Sequence, residues 1–464
     1  MISKENSGIT QPAGQGALLQ PERFARWAWI WAYAAIVTTM AVVRYSLFVT
    51  HGFSLSGYLT AFSLIMQGRA ADLAANSLTA FLFHQQAWGL WVLAPLAQNL
   101  GIAFLFFLSA MVIGSGGLAL YGIGRVWGRS SRTAAALSSL YLLYPPLIAA
   151  NVYDFHLTIW AVPLILWLVW FAVRGRWLGF GILLLIGTGL GISVTGALVL
   201  TGIGLLLRRE VWRFGLAAVL FALAYWSLIH RGLVIPAWTW QGHLSLRVGL
   251  YLLWVILPLL AAIAGVIIRK RNNIVNGWWV PTAAIVVFNI ARGTVSDTSP
   301  FTDHSALIGP FFALAILATG ELGAKLGKVA LIWSLGWVVL MGGYLYHSTW
   351  RPRPANVVEL SLALAKVPPG AFLVSQSYIL PHRGVTDRDF PTTALFGVPI
   401  PAGTYVLLNP KVTDGYSSSA MLTQWLNIAK SPSKSRLLYH KAGIWLFVLN
   451  HSALPLGDKA MTGG

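Results

Sequence analysis

Acidic residues are scarce in this chain, 13 against 32 Lys and Arg. Those outside the termini do not scatter. Asp154 and His156 stand in the stretch Asn151-Val152-Tyr153-Asp154-Phe155-His156, between the apolar runs 133–150 and 157–173. A tight loop there holds a carboxylate at the edge of an apolar slab, where an ionised group is costly unless it pairs or lines a wet cavity. The residue types allow Asp154 to act as general base, cation ligand or partner to an arginine. Residues two apart do not share a helix face, but in an extended turn they point the same way. The plain alternative is an Asp that ends one helix or caps the next.

Other polar groups gather in the same manner. Asp72 and His84 fall in a first loop. His230, Arg231, His243 and Arg247 bracket a later one, and Arg292, Asp297, Asp303 and His304 sit in another. Asp303 serves equally well as a helix N-cap or as a second arm of a site. Any one of these residues is explained by loops lying in water. As a set they read as one polar site built by several loops. The sequence has no HExxH, no EF-hand loop, no Walker loop, no dinucleotide fingerprint and no G-x-S-x-G elbow. A divalent cation held by Asp154 and Asp303 is compatible with the residues but demanded by no motif. Cysteine is absent, which excludes a thiol nucleophile and thiolate metal sites.

The elements that position these loops are apolar. Hydrophobic residues make up 57% of the 464 residues and charged residues 10%, against about 25% charged in soluble domains. A soluble globule, a disordered chain and a disulfide scaffold are excluded, and an all-α polytopic membrane protein remains. The net charge of +19 comes in clusters between apolar runs, such as Arg125/Arg129/Arg132, Arg208/Arg209/Arg213 and Arg269/Lys270/Arg271. That is the positive-inside pattern of cytoplasmic loops rather than a nucleic-acid surface. The first run, 27–49, is too long for a signal-peptide core and reads as an uncleaved span. Further spans are expected near 101–124, 133–150, 157–173, 178–190, 196–207, 214–232, 248–268, 278–291, 305–320 and 329–346, about eleven in all.

Segment 177–207 is apolar with arginines at both ends, so two short passes with an outward turn near Gly189–Gly196 keep both ends inside. Segment 81–100 carries His84, Gln85, Gln86 and Pro95 and is expected as an interfacial or half-inserted helix. Arg44 is the notable charge within a span and can snorkel outward. The 22 tryptophans cluster near span ends, at Trp27/Trp29/Trp31, Trp167/Trp170/Trp177 and Trp278/Trp279, as an aromatic belt does. Trp238 and Trp240 could stack on a sugar ring. The chain then divides into a cytoplasmic tail, 1–26, a transmembrane domain, 27–346, and a small extracytoplasmic α/β domain, 347–464. In the last, Ala371–Ser375, Tyr405–Leu408 and Ile444–Leu449 read as strands. Asn356–Lys366 reads as a helix, and a second runs to about Ala429, capped within Ser417–Ser419.

These loops resemble a family of prokaryotic integral membrane proteins, a domain of unknown function within the GT-C glycosyltransferase clan. Asp154-Phe155-His156-Leu157 with Pro163-Leu164 is similar to the family's Asp-Phe-His-Pro block. His84 with Ala94-Pro95-Leu96 and His304 with Pro310 are similar to two others. Pro369-Gly370-Ala371, Leu380-Pro381-His382 and Arg383 resemble a stretch after the last span. The order of these blocks, from about residue 50 to 410, carries the resemblance. This chain has Phe53-Ser54-Leu55 where the family has Phe-Asp-Leu, Ser193-Val194-Thr195 where it has an acidic block, and Leu157 where it has Pro. In GT-C enzymes an early outward-loop acid is the usual catalytic group, and here Asp72 is the substitute at hand.

The resemblance implies a transferase moving a sugar from a polyprenyl-phosphate carrier at the outer face of the plasma (inner) membrane. Asp154 is then base or cation ligand. His156, His84 and His304 line the site with Asp303, and Arg231, Arg247 or Arg292 hold the phosphate. The missing acids favour a second reading, a binding or scaffold protein of the same fold. A transporter is the third, suggested by the unwound stretch 187–196. No nucleic acid is expected as partner.

Overall fold

A computed structural model describes residues 20–50, 53–74, 78–153, 155–230, 277–292, 306–318, 354–392, 400–413 and 417–452, with isolated positions within 332–339. The span expected at 248–268 lies outside these residues, and of the one expected at 329–346 only those isolated positions are described.

Helix α1 is Gln20–Ser46, α2 Phe53–Met66, α3 Ala80–Gln85 and α4 Gly89–Val126. They are followed by α5 Ser131–Leu142, α6 Pro145–Tyr153 and, after a 3-10 turn at Leu157–Trp160, α7 Ala161–Val173. Next come α8 Trp177–Gly189, α9 Ser193–Leu206, α10 Trp212–His230, α11 Trp279–Arg292 and α12 Ile308–Ala318. Among the described residues three helices are long and apolar enough to cross a membrane: Trp27–Ser46 within α1, all of α4, and Trp212–Ile229 within α10. Helices α5 and α6 form a fourth apolar path bent by 48°. The bend falls at Pro145-Pro146, where proline removes backbone donors and disfavours helix in the residue before it.

Helix α4 absorbs two segments that the sequence reading keeps apart. Its 38 residues would reach ~57 Å if straight, about twice the hydrocarbon thickness. The helix breaks at Gly101, whose φ of 78° and ψ of −179° only glycine adopts readily. The interfacial helix expected at 81–100 is therefore a short α3 followed by the first arm of α4. The paired short passes expected over 177–207 are α8 and α9, joined through Leu190–Ile192 with Gly191 at φ +118°.

Helix α2 has no counterpart in the sequence reading, which leaves 53–66 in a loop. It is almost entirely buried. Leu55, Tyr58, Leu59 and Phe62 join the main apolar core of the bundle. Ser56, Thr60, Ser63 and Gln67 recur at i, i+4, i+7 and i+11, which places them on one helical stripe. Arg44 does not snorkel outward. Its side chain is completely buried, and Nη2 donates to the Val49 carbonyl at 2.8 Å. At the last turn of α1 a cation also meets the negative end of the helix dipole.

The C-terminal region forms a five-stranded sheet in the order β2-β1-β3-β5-β4. The strands are β1 Leu373–Ser375, β2 Asp389–Pro391, β3 Tyr405–Leu408, β4 Ser435–Lys441 and β5 Ile444–Leu449. Strand β1 runs parallel to β2 and β3, while β5 is antiparallel to β3 and β4. Helix α13, Pro354–Leu364, covers one face through Leu360 and Ala363. Helix α14, Ser419–Ala429, covers the other through Met421, Leu422 and Trp425. Ser418 is its N-cap and accepts from the Met421 N–H.

The tryptophan belt holds for Trp27, Trp29 and Trp31, each more than half exposed. It fails for Trp278, which is fully buried. Its ring fills the space a side chain would take at Gly204, where a Cβ would approach it to 2.5 Å.

Candidate functional site

The loop between α6 and the 3-10 turn carries Asp154, Phe155 and His156. The structure describes it from Phe155 onward, and Asp154 lies outside the described residues. His156 takes the N-cap position of the 3-10 turn with extended backbone, and its side chain makes no capping bond. The first N–H of the turn, on Leu157, needs an acceptor. It finds the Tyr58 hydroxyl of α2 at 3.0 Å. The Tyr58 ring meets Phe155 edge-on at 5.0 Å, and Phe155 meets Trp160 edge-on at 6.2 Å. Both Tyr58 and Phe155 are 1% exposed.

A second wall meets this loop. A Cβ on Gly89, at the start of α4, would lie 2.7 Å from the Gly189 carbonyl and 3.4 Å from Leu157 Cδ2. The α3–α4 junction, the α8–α9 turn and the 3-10 turn therefore touch one another. The Ile192 N–H donates to the Gln85 carbonyl at 2.7 Å, and Trp88 Nε1 donates to Thr188 Oγ1 at 3.0 Å. At the opposite ends of α4, α7, α8 and α9 stand the cations. Arg208 lies over the Trp127 ring at 4.1 Å, and Arg174 and Arg176 lie near Trp170. The basic end of these helices is thus remote from the loop end.

The third wall is the C-terminal domain, seated on α1 and α2. The His382 ring stacks between Phe48, at 3.6 Å between centroids, and Tyr45, at 4.3 Å. The Tyr45 hydroxyl donates to the Pro381 carbonyl at 2.9 Å. Phe48 holds φ at +56° to reach this position, a conformation rare for a bulky residue. Ser56 donates to the Ser377 carbonyl at 3.4 Å, and at the far end of α2 Gln67 donates to Asp387 at 3.3 Å. Below the stack Arg383 pairs with Asp389 at 2.6 Å, both nearly buried, and donates to the Ala371 and Pro368 carbonyls. Burial pushes the Asp389 carboxyl up to about 7, although Arg383 pulls against it.

Burial also pushes the His382 imidazole down to about 3, and its Nε2 has no hydrogen-bond partner. A histidine kept neutral in the fold but basic when released loses stability as pH falls from its ordinary value of 6.5 toward 3. At pH ~5 the loss is about 2 kcal/mol. Asp389, raised in the fold, contributes in the opposite sense over 3.8 to about 7. Comparing thermal melting of wild type and His382→Phe at each pH cancels the contribution of Asp389. The variant is expected to lose the part of the acid sensitivity that sets in below pH ~6.5.

His156 sits at the loop held by Tyr58. His84 belongs to α3, next to Gln85, although its side chain is outside the described residues. Asp72 is placed in an ion cluster at the domain junction. Its carboxylate accepts from Arg69 at 2.8 Å, and Arg69 also pairs with Asp387 at 2.6 Å. Arg292 ends α11 with its side chain undescribed, and Arg231, Arg247, Asp303, His304, Trp238 and Trp240 fall outside the described residues. So does any cation held between Asp154 and Asp303. Among the described residues no three His, Asp or Glu side chains converge on a metal position. Tyr58 was not among the sequence candidates. The stripe Ser56/Thr60/Ser63/Gln67, opposite apolar residues, was the available signal for its helix.

The fold and these loops define a helical membrane protein with a small α/β domain seated on its loop end. Residues 44–251 match the family described as "Predicted membrane protein (DUF2079)", in agreement with the resemblance drawn from the Asp154-Phe155-His156 block. The crystal structure of ArnT from Cupriavidus metallidurans bound to undecaprenyl phosphate matches with a TM-score of 0.52 at 16% identity. The match covers 93% of this chain and 99% of that one. At this identity the likeness shows that the two chains share a fold. No curated protein sequence matches the chain.

Proposed function

We propose that the protein is a GT-C-like glycosyltransferase that uses a polyprenyl-phosphate-linked sugar at the outer face of the plasma (inner) membrane. The observation that carries this reading is the architecture shared with ArnT, a protein crystallised with undecaprenyl phosphate. The separation of the Arg174, Arg176 and Arg208 end from the loop end supports a cytoplasmic basic face and an outward site. In this reading eleven spans place the N-terminus inside and residues 347–464 outside. Asp154 takes the proton of an acceptor hydroxyl as that oxygen bonds to the sugar carbon. The bond from that carbon to the phosphate oxygen breaks, and polyprenyl phosphate leaves. His156, His84, Asp303 and His304 line the site, with Arg231, Arg247 and Arg292 on the phosphate. Asp72 is the second acid, and its pairing with Arg69 suits a role in seating the outer domain better than a role as base.

A specific departure favours a second reading, a non-catalytic binding protein of the same fold: Ser54 of α2 stands where the resembled family carries an acid. Carrier lipids in cells with and without the protein separate the two. A transferase leaves its lipid-linked sugar unspent when deleted, and a binding protein does not.

A further inference from the structure

We infer that Tyr58 is a positioning residue that couples the seated outer domain to the Phe155–Leu157 loop that carries His156, an inference that rests on the transferase reading. Helix α2 has two working faces. One carries Ser56 and Gln67, which hydrogen-bond the outer domain at Ser377 and Asp387. The other carries Tyr58, whose hydroxyl accepts the Leu157 N–H at 3.0 Å and whose ring packs on Phe155.

The need for that acceptor is local. A 3-10 turn leaves its first N–H groups without internal partners. The residue at the N-cap is His156, whose side chain does not cap. Tyr58 supplies from a neighbouring helix what Ser, Asp or Asn would supply at the N-cap itself. The backbone on both sides of His156 is therefore fixed by one tyrosine, through ring contact at 155 and hydroxyl contact at 157. Its own helix is held in register by the outer domain. A 14-residue helix too short to span thus links the domain to the loop, and a misplacement of about 1 Å at a reacting group costs roughly a hundredfold in rate.

The test uses the full-length protein in native membranes and in detergent, with wild type, Tyr58→Phe and Asp154→Ala compared. Phenylalanine keeps the ring packing and removes only the hydroxyl. Two quantities are read: amide hydrogen exchange of the peptide containing Leu157, and turnover of the endogenous polyprenyl-phosphate sugar, separated into kcat and KM. The expected result for Tyr58→Phe is faster exchange at Leu157, kcat lowered about tenfold or more, and KM within about twofold. Unchanged exchange overturns the inference. Faster exchange with wild-type kcat also overturns it, provided Asp154→Ala is inactive. Asp154→Ala turning over as wild type instead overturns the transferase site itself, whatever Tyr58→Phe does. If Tyr58→Phe fails to accumulate, Phe155→Leu loosens the same loop from its other contact, and the same pair of readouts applies.

Discussion

Leucine in place of Gly215 is expected to leave little folded protein in the membrane. A Cβ at Gly215 of α10 would stand 2.5 Å from the Leu206 nitrogen, 2.6 Å from the Gly202 oxygen and 3.0 Å from the Leu205 carbonyl carbon. All three are backbone atoms of α9 or its C-terminal end, so no side chain can rotate away. The facing glycine is equally committed: a Cβ at Gly202 would meet Val219 Cγ2 at 2.6 Å and the Gly215 oxygen at 2.8 Å. Without a hydrophobic drive between helices in lipid, such close backbone contact is what holds a pair together. Even alanine must part α9 from α10, and overpacking costs about 1–3 kcal/mol where the neighbours can adjust. Here they cannot, and leucine should exceed that range. Gly181 of α8 is the control, because a Cβ there meets nothing within 4 Å. Gly181→Ala should be neutral or stabilising by about 0.5–1 kcal/mol through helix propensity. Membrane yield and melting in detergent read both variants.

The second large effect is expected at Arg383. Arg383→Met leaves the buried Asp389 carboxylate without its partner and the Ala371 and Pro368 carbonyls without their donor. Breaking a buried pair from one side typically costs about 3–5 kcal/mol. The sign of the pH dependence follows from Asp389. Its carboxyl is pushed up to about 7 by burial, with Arg383 opposing. Removing Arg383 raises it further, so the variant suffers most above neutral pH and recovers as Asp389 takes up a proton. Adding Asp389→Leu removes the orphaned charge and should restore much of the loss. Thermal melting of the two single variants and the double variant, above and below neutral pH, gives the coupling. Equal melting of wild type and Arg383→Met at alkaline pH would show that the pair does not hold the joint.

What the sequence discloses depends on whether a residue's role is local. The turn at Gly191 was legible because arginines at 174, 176, 208 and 209 leave one side for both ends of 177–207. The joint at His382 and Arg383 was legible as a motif but not as a joint. Only the fold brings Pro368, Ala371 and Asp389 to one guanidinium and the end of α1 to one imidazole. Helix α2 was illegible as a span because its 14 residues are too few and three of its buried positions, Ser56, Thr60 and Ser63, are Ser or Thr. Strand β2 is three residues ending in Pro391, and β4 has no regular alternation of buried and exposed positions, so neither carried a period-2 signal. Tyr58 could not be read as a partner of Leu157, 99 positions away.

The proposed activity is that this ArnT-like fold spends a lipid-linked sugar with Asp154 as its base. Mass spectrometry of lipid extracts from cells lacking the protein tests it without a guess at the sugar. The expected result is accumulation of one polyprenyl-phosphate-linked sugar, reversed by the wild-type protein and not by an equally abundant Asp154→Ala variant. Carrier lipids unchanged by deletion, in cells where the wild-type protein is abundant, would contradict it and leave a binding protein of this fold.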